Sequence, residues 1–404
     1  MSGLLIAERL ERSLRRDETL MLSELEELVS VETPTSDVER CRSGVALVRD
    51  FARRHDTPVA EIELGGRPHL LLGALASGDG WGAEPQPGQV LLVGHIDTVW
   101  PIGTLAAWPF ALEAGVATGP GVYDMKAGVI ESLHAVRELR ALGAASRLGV
   151  LLTTDEEVGS PSSAALVESL ARRADAVLVL EPGPLGAVKV ARKGIAVWRI
   201  EVHGRAAHAG LEPERGVNAA VELARLVGAV AAAGDPASGT TVTPTLLQAG
   251  NAANVVPATA EMTLDVRSFE QRTLDAVEGR LRGLRPTLEG ASIDLRCLTS
   301  RPPLERAASA ALFERAARIW RGLGSGELGA EAVGGASDGN LAAAVGAPTL
   351  DGLGPEGGEA HARGEWVQVT SLARRTALVA ALVADLCERP ARLTSAVPDS
   401  STTE

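Results

Sequence analysis

The chain has 404 residues, 45% of them hydrophobic and 23% charged, which is more than one hydrophobic core sustains, so two domains are expected, one divided by the other. Lys and Arg total 39 against 52 Asp and Glu, and the net charge of -13 repels phosphate backbones and anionic lipid, so neither nucleic acid nor a membrane surface is an expected partner. No run approaches the roughly 20 apolar residues of a membrane span, the first thirty residues scatter charge where an export signal is apolar, and Cys41, Cys297 and Cys387 lack paired spacing, all of which points to the cytoplasm.

A helical stretch is predicted over 18–31. QVLLVGH at 89–95 reads as a buried strand, MKAGVIESLHAVRELRALG at 125–143 as a helix ended by Gly, and RLGVLLTT at 147–154 and DAVLVLE at 175–181 as two more buried strands. Strands alternating with helices define an α/β layer with a mostly parallel sheet and helices on both faces. From Gly194 the texture changes. IAVWRIEVHG, TVTPTLLQAG, ATAEMTLDVR and SIDLRCLT alternate as half-exposed strands, with helices over 217–232 and 274–284, giving a β-α-β-β-α-β unit. Helices resume over 307–322 and 370–387. The expected division is therefore a discontinuous first domain over 1–192 and 303–394 and an inserted domain over 193–302. The Gly- and Pro-rich loop 76–88 and the tail 395–404 are expected to be poorly ordered.

The chemistry gathers where strands end, the usual place of ligand crevices in an open α/β sheet. GHIDTVWP puts His95 at a strand end with Asp97 two residues on, where a carboxylate can fix the tautomer of a metal-binding ring. GPGVYDMKAG places Asp124 in a Gly-rich turn before a helix, where capping is an equally good use for it. TTDEEVGS sets three carboxylates side by side, a solvated acidic loop unless something cationic is near, and LEP leaves Glu181 alone at the end of an apolar run. Imidazole and carboxylate without sulfur suit zinc, cobalt or manganese. HExxH is absent from the sequence, which removes a thermolysin-like helix site, and neither a serine elbow nor a suitably placed Cys is read as a covalent nucleophile.

HIDTV, GPGVYDMKAG, TTDEEVGS, EP, HGRAAHAGLEPERGVNA, GNAANVVPATAEMTLDVR and the late GxEAH run, in that order over about 20–390, resemble the di-zinc peptidase family of glutamate carboxypeptidases, aminoacylases, acetylornithine deacetylase and succinyl-diaminopimelate desuccinylase. The folate-cleaving glutamate carboxypeptidases are the most similar. The resemblance implies a zinc-exopeptidase-like fold interrupted by a ferredoxin-like lid and dimerisation domain. It also implies a di-zinc carboxypeptidase or amidohydrolase acting on a small or dipeptide-like substrate and releasing a C-terminal glutamate-like residue. A deacylase of a small N-acyl intermediate is the alternative.

Residue by residue, the resemblance makes Asp124 the bridge between two metal ions. His95 and Glu181 complete one site, Glu157 and His361 the other. Asp97 orients His95, Glu156 is the general base for a water shared by the metals, and His208 reaches across a homodimer to the oxyanion. Arg267, Arg301, Asn254 and Lys189 fall at or near positions that grip the leaving glutamate, with Arg192 and Lys193 beside Lys189, and guanidinium suits a carboxylate. GGASDGN at 334–340 matches a Gly-rich loop near the substrate. Tyr123 stands where relatives carry a small residue, and Ala127 where Gly is common.

Overall fold

The computed structural model describes residues 3–77, 81 and 86–391; the tail 395–404 and much of the 76–88 loop lie outside them. The chain forms two compact units. One comprises the described residues up to Ala191, then Arg306–Ala332, then those from Ser337 onward; the other comprises Arg192–Glu305 and Val333–Ala336.

The first unit is built on six strands in the order Val59–Leu64, Arg67–Gly73, Leu148–Thr153, Val90–His95, Ala176–Val179, Thr349–Leu350. The last four run parallel, and the hairpin 59–73 adds two antiparallel strands at one edge. Every residue of Val90–His95, Leu148–Thr153 and Ala176–Val179 is buried, because helices cover both faces and an unbroken apolar run then packs better than alternation. The pleat sends Val90 and Leu92 to one face, against Ala127–Ala141 and Val369–Glu388, and Leu91 and Val93 to the other, against Ala164–Arg173 and Asp338–Ala344. Gly128 permits a close approach of helix to sheet: a Cβ there would lie 2.2 Å from the Leu180 carbonyl oxygen.

The amino-terminal helical region is longer than the predicted 18–31. Gly3–Arg16 and Glu18–Val29 meet at Asp17, and Ala7, Leu10 and Leu14 are buried in the same core as Leu25 and Leu28. A small sheet of Gly357–Gly358, Trp366–Gln368, Val116–Thr118 and Ala111–Glu113 completes the unit.

In the second unit, Gly194–His203, Ala219–Ala231, Thr241–Ala249, Thr259–Ser268, Gln271–Arg282 and Ser292–Arg301 follow the β-α-β-β-α-β order. The sheet is antiparallel, with 259–268 and 194–203 central and 241–249 and 292–301 at the edges. Trp198, Ile200, Met262 and Leu264 pack on Leu223, Leu226, Leu274 and Val277 to make a separate core. Asn218 starts the first helix, its Oδ1 accepting from the backbone N–H of Ala220 and Val221 at 3.0 and 3.1 Å.

Candidate metal centre

His95 is the last residue of its strand, and its ring is buried. Its Nδ1 lies 2.9 Å from the backbone carbonyl of Asp97 and 3.5 Å from the Asp97 carboxylate. The carbonyl rather than the carboxylate is thus the nearer acceptor, which places the proton on Nδ1 and the lone pair on Nε2. The Asp97 carboxylate instead accepts from Thr35 Oγ1 at 2.8 Å and from the backbone N–H of Glu156 and Glu157 at 3.4 and 3.2 Å. One residue therefore holds both the ring and the acidic turn.

The three consecutive carboxylates are sorted by the fold. Asp155 is buried and accepts from Ser162 N and Oγ at 2.6 Å and from Ser163 Oγ at 2.6 Å, so it fixes the following turn. Glu156 and Glu157 begin a short 3-10 turn, and Glu157 Oε2 lies 3.2 Å from His361 Nε2.

Asp124 does not cap the following helix: Lys126 is the residue before Ala127–Ala141, and both Asp124 oxygens face histidine rings instead. The turn before it needs Gly121, whose φ is +72° and whose Cβ, if present, would come within 2.5 Å of the Thr98 methyl. Asp124 Oδ1 lies 3.2 Å from His95 Nε2, and Oδ2 lies 3.3 Å from His361 Nε2. Glu181 Oε1 lies 3.4 Å from His95 Nε2. His95, Asp124 and Glu181 form one group of converging donors, and Asp124, Glu157 and His361 form a second.

These groups fit divalent ions. His95 Nε2, Asp124 Oδ1 and Glu157 Oε1 are buried without a hydrogen-bond partner, a costly state for polar atoms unless a cation meets them. Asp124 and Glu157 outweigh the effect of burial on His361 and push its pKa up to about 10. Burial would raise the Asp124 pKa, but His361 and His95 pull it far below the usual carboxylate range.

A third cluster differs in kind. His55 Nε2 and His134 Nε2 lie 3.1 and 2.8 Å from the buried Glu24 Oε2. The paired atoms of the first two groups stand 3.2 to 3.4 Å apart, a separation that two ligands of one ion can take, whereas the Glu24 contacts are shorter and serve as hydrogen bonds. Both rings donate to one carboxylate, which pins three helices.

Glu365 was not singled out in the sequence, and Asp338 and Tyr123 were noted only as part of a Gly-rich loop and as a departure from relatives. Glu365 is buried and accepts four N–H groups, including that of Asp124 at 2.8 Å. Asp338 accepts from Ser160 Oγ and from Thr153 Oγ1 at the end of the central strand. Tyr123 donates its hydroxyl to the Gly183 carbonyl at 3.0 Å, tying the Asp124 turn to the chain after Glu181. A lone Glu in a mixed loop carries no motif that would have marked it.

Of the expected substrate-gripping residues, Lys189 lies in the first unit, its Nζ 3.9 Å from Glu181 Oε2. The others lie in the second unit. There the Ala209 N–H donates to the Asn254 carbonyl at 2.9 Å, and His208 pairs with Val255, so His208 and Asn254 are neighbours. His208 Nδ1 accepts from Gly210 and Leu211 N–H at 3.1 and 3.2 Å, which makes Nε2 the proton-bearing nitrogen of the neutral ring. Arg301 is buried at a strand end. Arg267 is engaged by both oxygens of Asp265 and donates to the Gly334 carbonyl at 3.1 Å. Arg192 is buried, with Nη1 at 3.3 Å from the Gly335 carbonyl.

An α/β sheet presenting two donor groups that share a carboxylate at its strand ends defines a metal-dependent hydrolase. The chain belongs to peptidase family M20/M25/M40, whose profile matches residues 91–385. It is 32% identical over 379 residues to carboxypeptidase G2 of Pseudomonas sp. (strain RS-16), covering 92% of this chain and 90% of that protein. In fold it is similar to aminopeptidase PepT from Bacillus cereus, with a TM-score of 0.68 at 22% identity, covering 91% of this chain and 98% of that one. It is also similar to the M20 family metallo-carboxypeptidase Sso-CP2 from Sulfolobus solfataricus, with a TM-score of 0.63 at 15% identity over 91% of this chain and 99% of that one. It is a hydrolytic enzyme. No described helix is long and apolar enough to cross a membrane.

Proposed function

We propose that the chain is a two-zinc carboxypeptidase that hydrolyses the amide bond of an N-acyl or peptidyl amino acid and releases a glutamate-like product. The observation that carries the two-ion reading is the sharing of Asp124 between two converging donor groups, in which His95 Nε2, Asp124 Oδ1 and Glu157 Oε1 are buried without a hydrogen-bond partner. Zinc best suits a donor set of imidazole and carboxylate, and cobalt or manganese would fit the same set. Two bound ions would supply Lewis acidity to the scissile carbonyl and lower the pKa of a water.

The chain's residues do the rest. Glu156, held by Asp97 through its backbone, accepts a proton from the attacking water and hands it to the departing amine as the C–N bond breaks, leaving a carboxylic acid and a free amino acid. His208, with its proton on Nε2, serves as an oxyanion donor from a second copy. Pairing of copies through the inserted unit is supported by the exposed Leu246 and Leu247 on an edge strand and the exposed Leu211. The glutamate preference rests on the resemblance of the motifs to those of glutamate carboxypeptidases and on Lys189 beside Glu181, with Arg301 and Asn254 as further grips and Arg267 sharing its guanidinium with Asp265. Three free cysteines suit the reducing cytoplasm.

Purified protein loaded with zinc or cobalt is tested against N-acyl glutamates, other N-acyl amino acids and dipeptides, with products read by mass spectrometry. Glutamate release supports the reading. Turnover confined to small N-acyl amino acids without an acidic side chain would assign the deacylase alternative, and no release from any member would sink both.

A further inference from the structure

We propose that Glu365 is the positioning residue of both ion sites, holding the backbone of Asp124 in register with His361 although its carboxylate belongs to neither donor group. The inference rests on the two-ion reading and concerns how the ligands are kept in place.

Glu365 is fully buried. Its Oε1 accepts from the backbone N–H of Tyr123 and of Asp124, each at 2.8 Å, and its Oε2 accepts from Gly121 N–H at 3.1 Å and from Trp100 Nε1 at 2.9 Å. All four partners are N–H donors, so a full carboxylate is the one side chain of this length that can meet them all.

Three ligand-bearing segments meet at this group. Trp100 lies shortly after His95 and Asp97, and Gly121 to Asp124 form the turn of the shared ligand. Glu365 itself follows His361 by four residues, through a turn in which its N–H donates to Ala362 at 3.1 Å and Ala362 N–H donates to Glu359 at 2.9 Å. His361 and Glu359 in that turn have φ of 62° and 61°, a left-handed backbone that needs outside support. The Gly119 N–H, donating to the Glu365 carbonyl at 3.4 Å, ties the two stretches a second time.

Asp124 faces His95 with one oxygen and His361 with the other, at 3.2 and 3.3 Å. A displacement of its backbone cannot improve one contact without losing the other. A Gln at 365 would turn an NH2 group toward two of the four N–H donors and push the turn away. Loss of an outer partner of a metal ligand typically weakens metal binding by roughly 10- to 100-fold, and here both ions should feel it.

The test uses the full chain, stripped of metal and titrated with cobalt(II), followed by visible absorption and by metal stoichiometry after dialysis. Glu365→Gln is compared with wild type and with Glu222→Gln. Glu222 is a buried carboxylate in the other unit that accepts from Thr287 N and Oγ1 at 2.9 Å and Leu288 N at 2.8 Å. The wild type is expected to take two ions. Glu365→Gln is expected to bind both roughly 10- to 100-fold more weakly, with a changed cobalt spectrum, whereas Glu222→Gln loses thermal stability and keeps the wild-type titration. Glu365→Asp keeps the charge with a shorter reach and is expected to fall between, which serves the test should the Gln variant not fold. Two ions bound with wild-type affinity and spectrum in Glu365→Gln, or in Glu365→Asp where the Gln variant does not fold, overturn the proposal alone. A wild-type chain that takes up no ion overturns the two-ion reading and the proposal with it.

Discussion

On the proposed reading Glu156 and Glu157, adjacent in sequence, take different tasks: the turn after the strand Leu148–Thr153 brings Glu157 Oε2 within 3.2 Å of His361 Nε2. Replacing Glu156 by Ala should therefore leave two ions bound while kcat falls roughly 100- to 10,000-fold, the usual worth of a general base. Metal analysis beside steady-state rates checks this, and unchanged turnover would refute the role. His361 gives a pH dependence. Asp124 and Glu157 raise its pKa from the ordinary 6.5 to about 10, but a ring that binds metal must be neutral. Ion uptake at pH 8 should thus release protons, and apparent affinity should rise with pH as competition by the proton fades toward pH 10. Calorimetry in buffers of different ionisation enthalpy reads the released protons directly, and an uptake independent of buffer would contradict it.

Glu24, His55 and His134 connect three helices: Glu18–Val29, the end of Val38–Arg54, and Ala127–Ala141. Burial alone would raise the Glu24 pKa, but hydrogen bonds from His134 and His55 outweigh it and lower the value from 4.5 to about 2. The folded value lies below the unfolded one, so this stability is present above pH 4.5 and is lost as pH falls toward 2, on the order of 3 kcal/mol in all. Glu24→Gln should lower the unfolding midpoint in urea at pH 7 and flatten the acid limb, whereas an unaltered acid limb would show that the triad does not carry it. The apolar strands around it were legible because burial on both faces writes an unbroken run into the sequence. The hairpin 59–73 was not, since Val59–Leu64 is only half buried and its pattern of Glu and aliphatic residues suits a helix edge equally well. Gly3–Arg16 escaped notice because its buried Ala7, Leu10 and Leu14 are interspersed with Glu and Arg. In the site, the motif residues His95, Asp124, Glu157, Glu181 and His361 were readable and the fold brings them together. Glu365 was not, because its task depends on four N–H groups from segments more than two hundred residues away.

At the scale of the molecule, the converging donors are spread from residue 95 to 361, and the whole second unit falls between Glu181 and His361. Folding must therefore bring the last ligand back across an independent core. Arg192 and Leu304 show how small that detour is. Each donates its N–H to the other's carbonyl, at 3.0 and 3.1 Å, so the chain leaves and returns as a pair of antiparallel neighbours, whose Cα atoms in such a pair sit about 5.5 Å apart. For the polymer, more than a hundred residues are then equivalent to a hairpin: the closure entropy that a loop of that length would exact grows only as the logarithm of its length, and a folded insert with adjoining ends removes even that. A chain in which residues 194–302 are replaced by a short Gly-Ser turn should still fold and bind two ions, while losing turnover with His208, and a loss of ion binding in that chain would argue against it. Such a seam leaves the core that carries the converging donors and the inserted unit free to change sequence separately; on the proposed reading, the choice of substrate can then drift while the hydrolytic centre stays fixed.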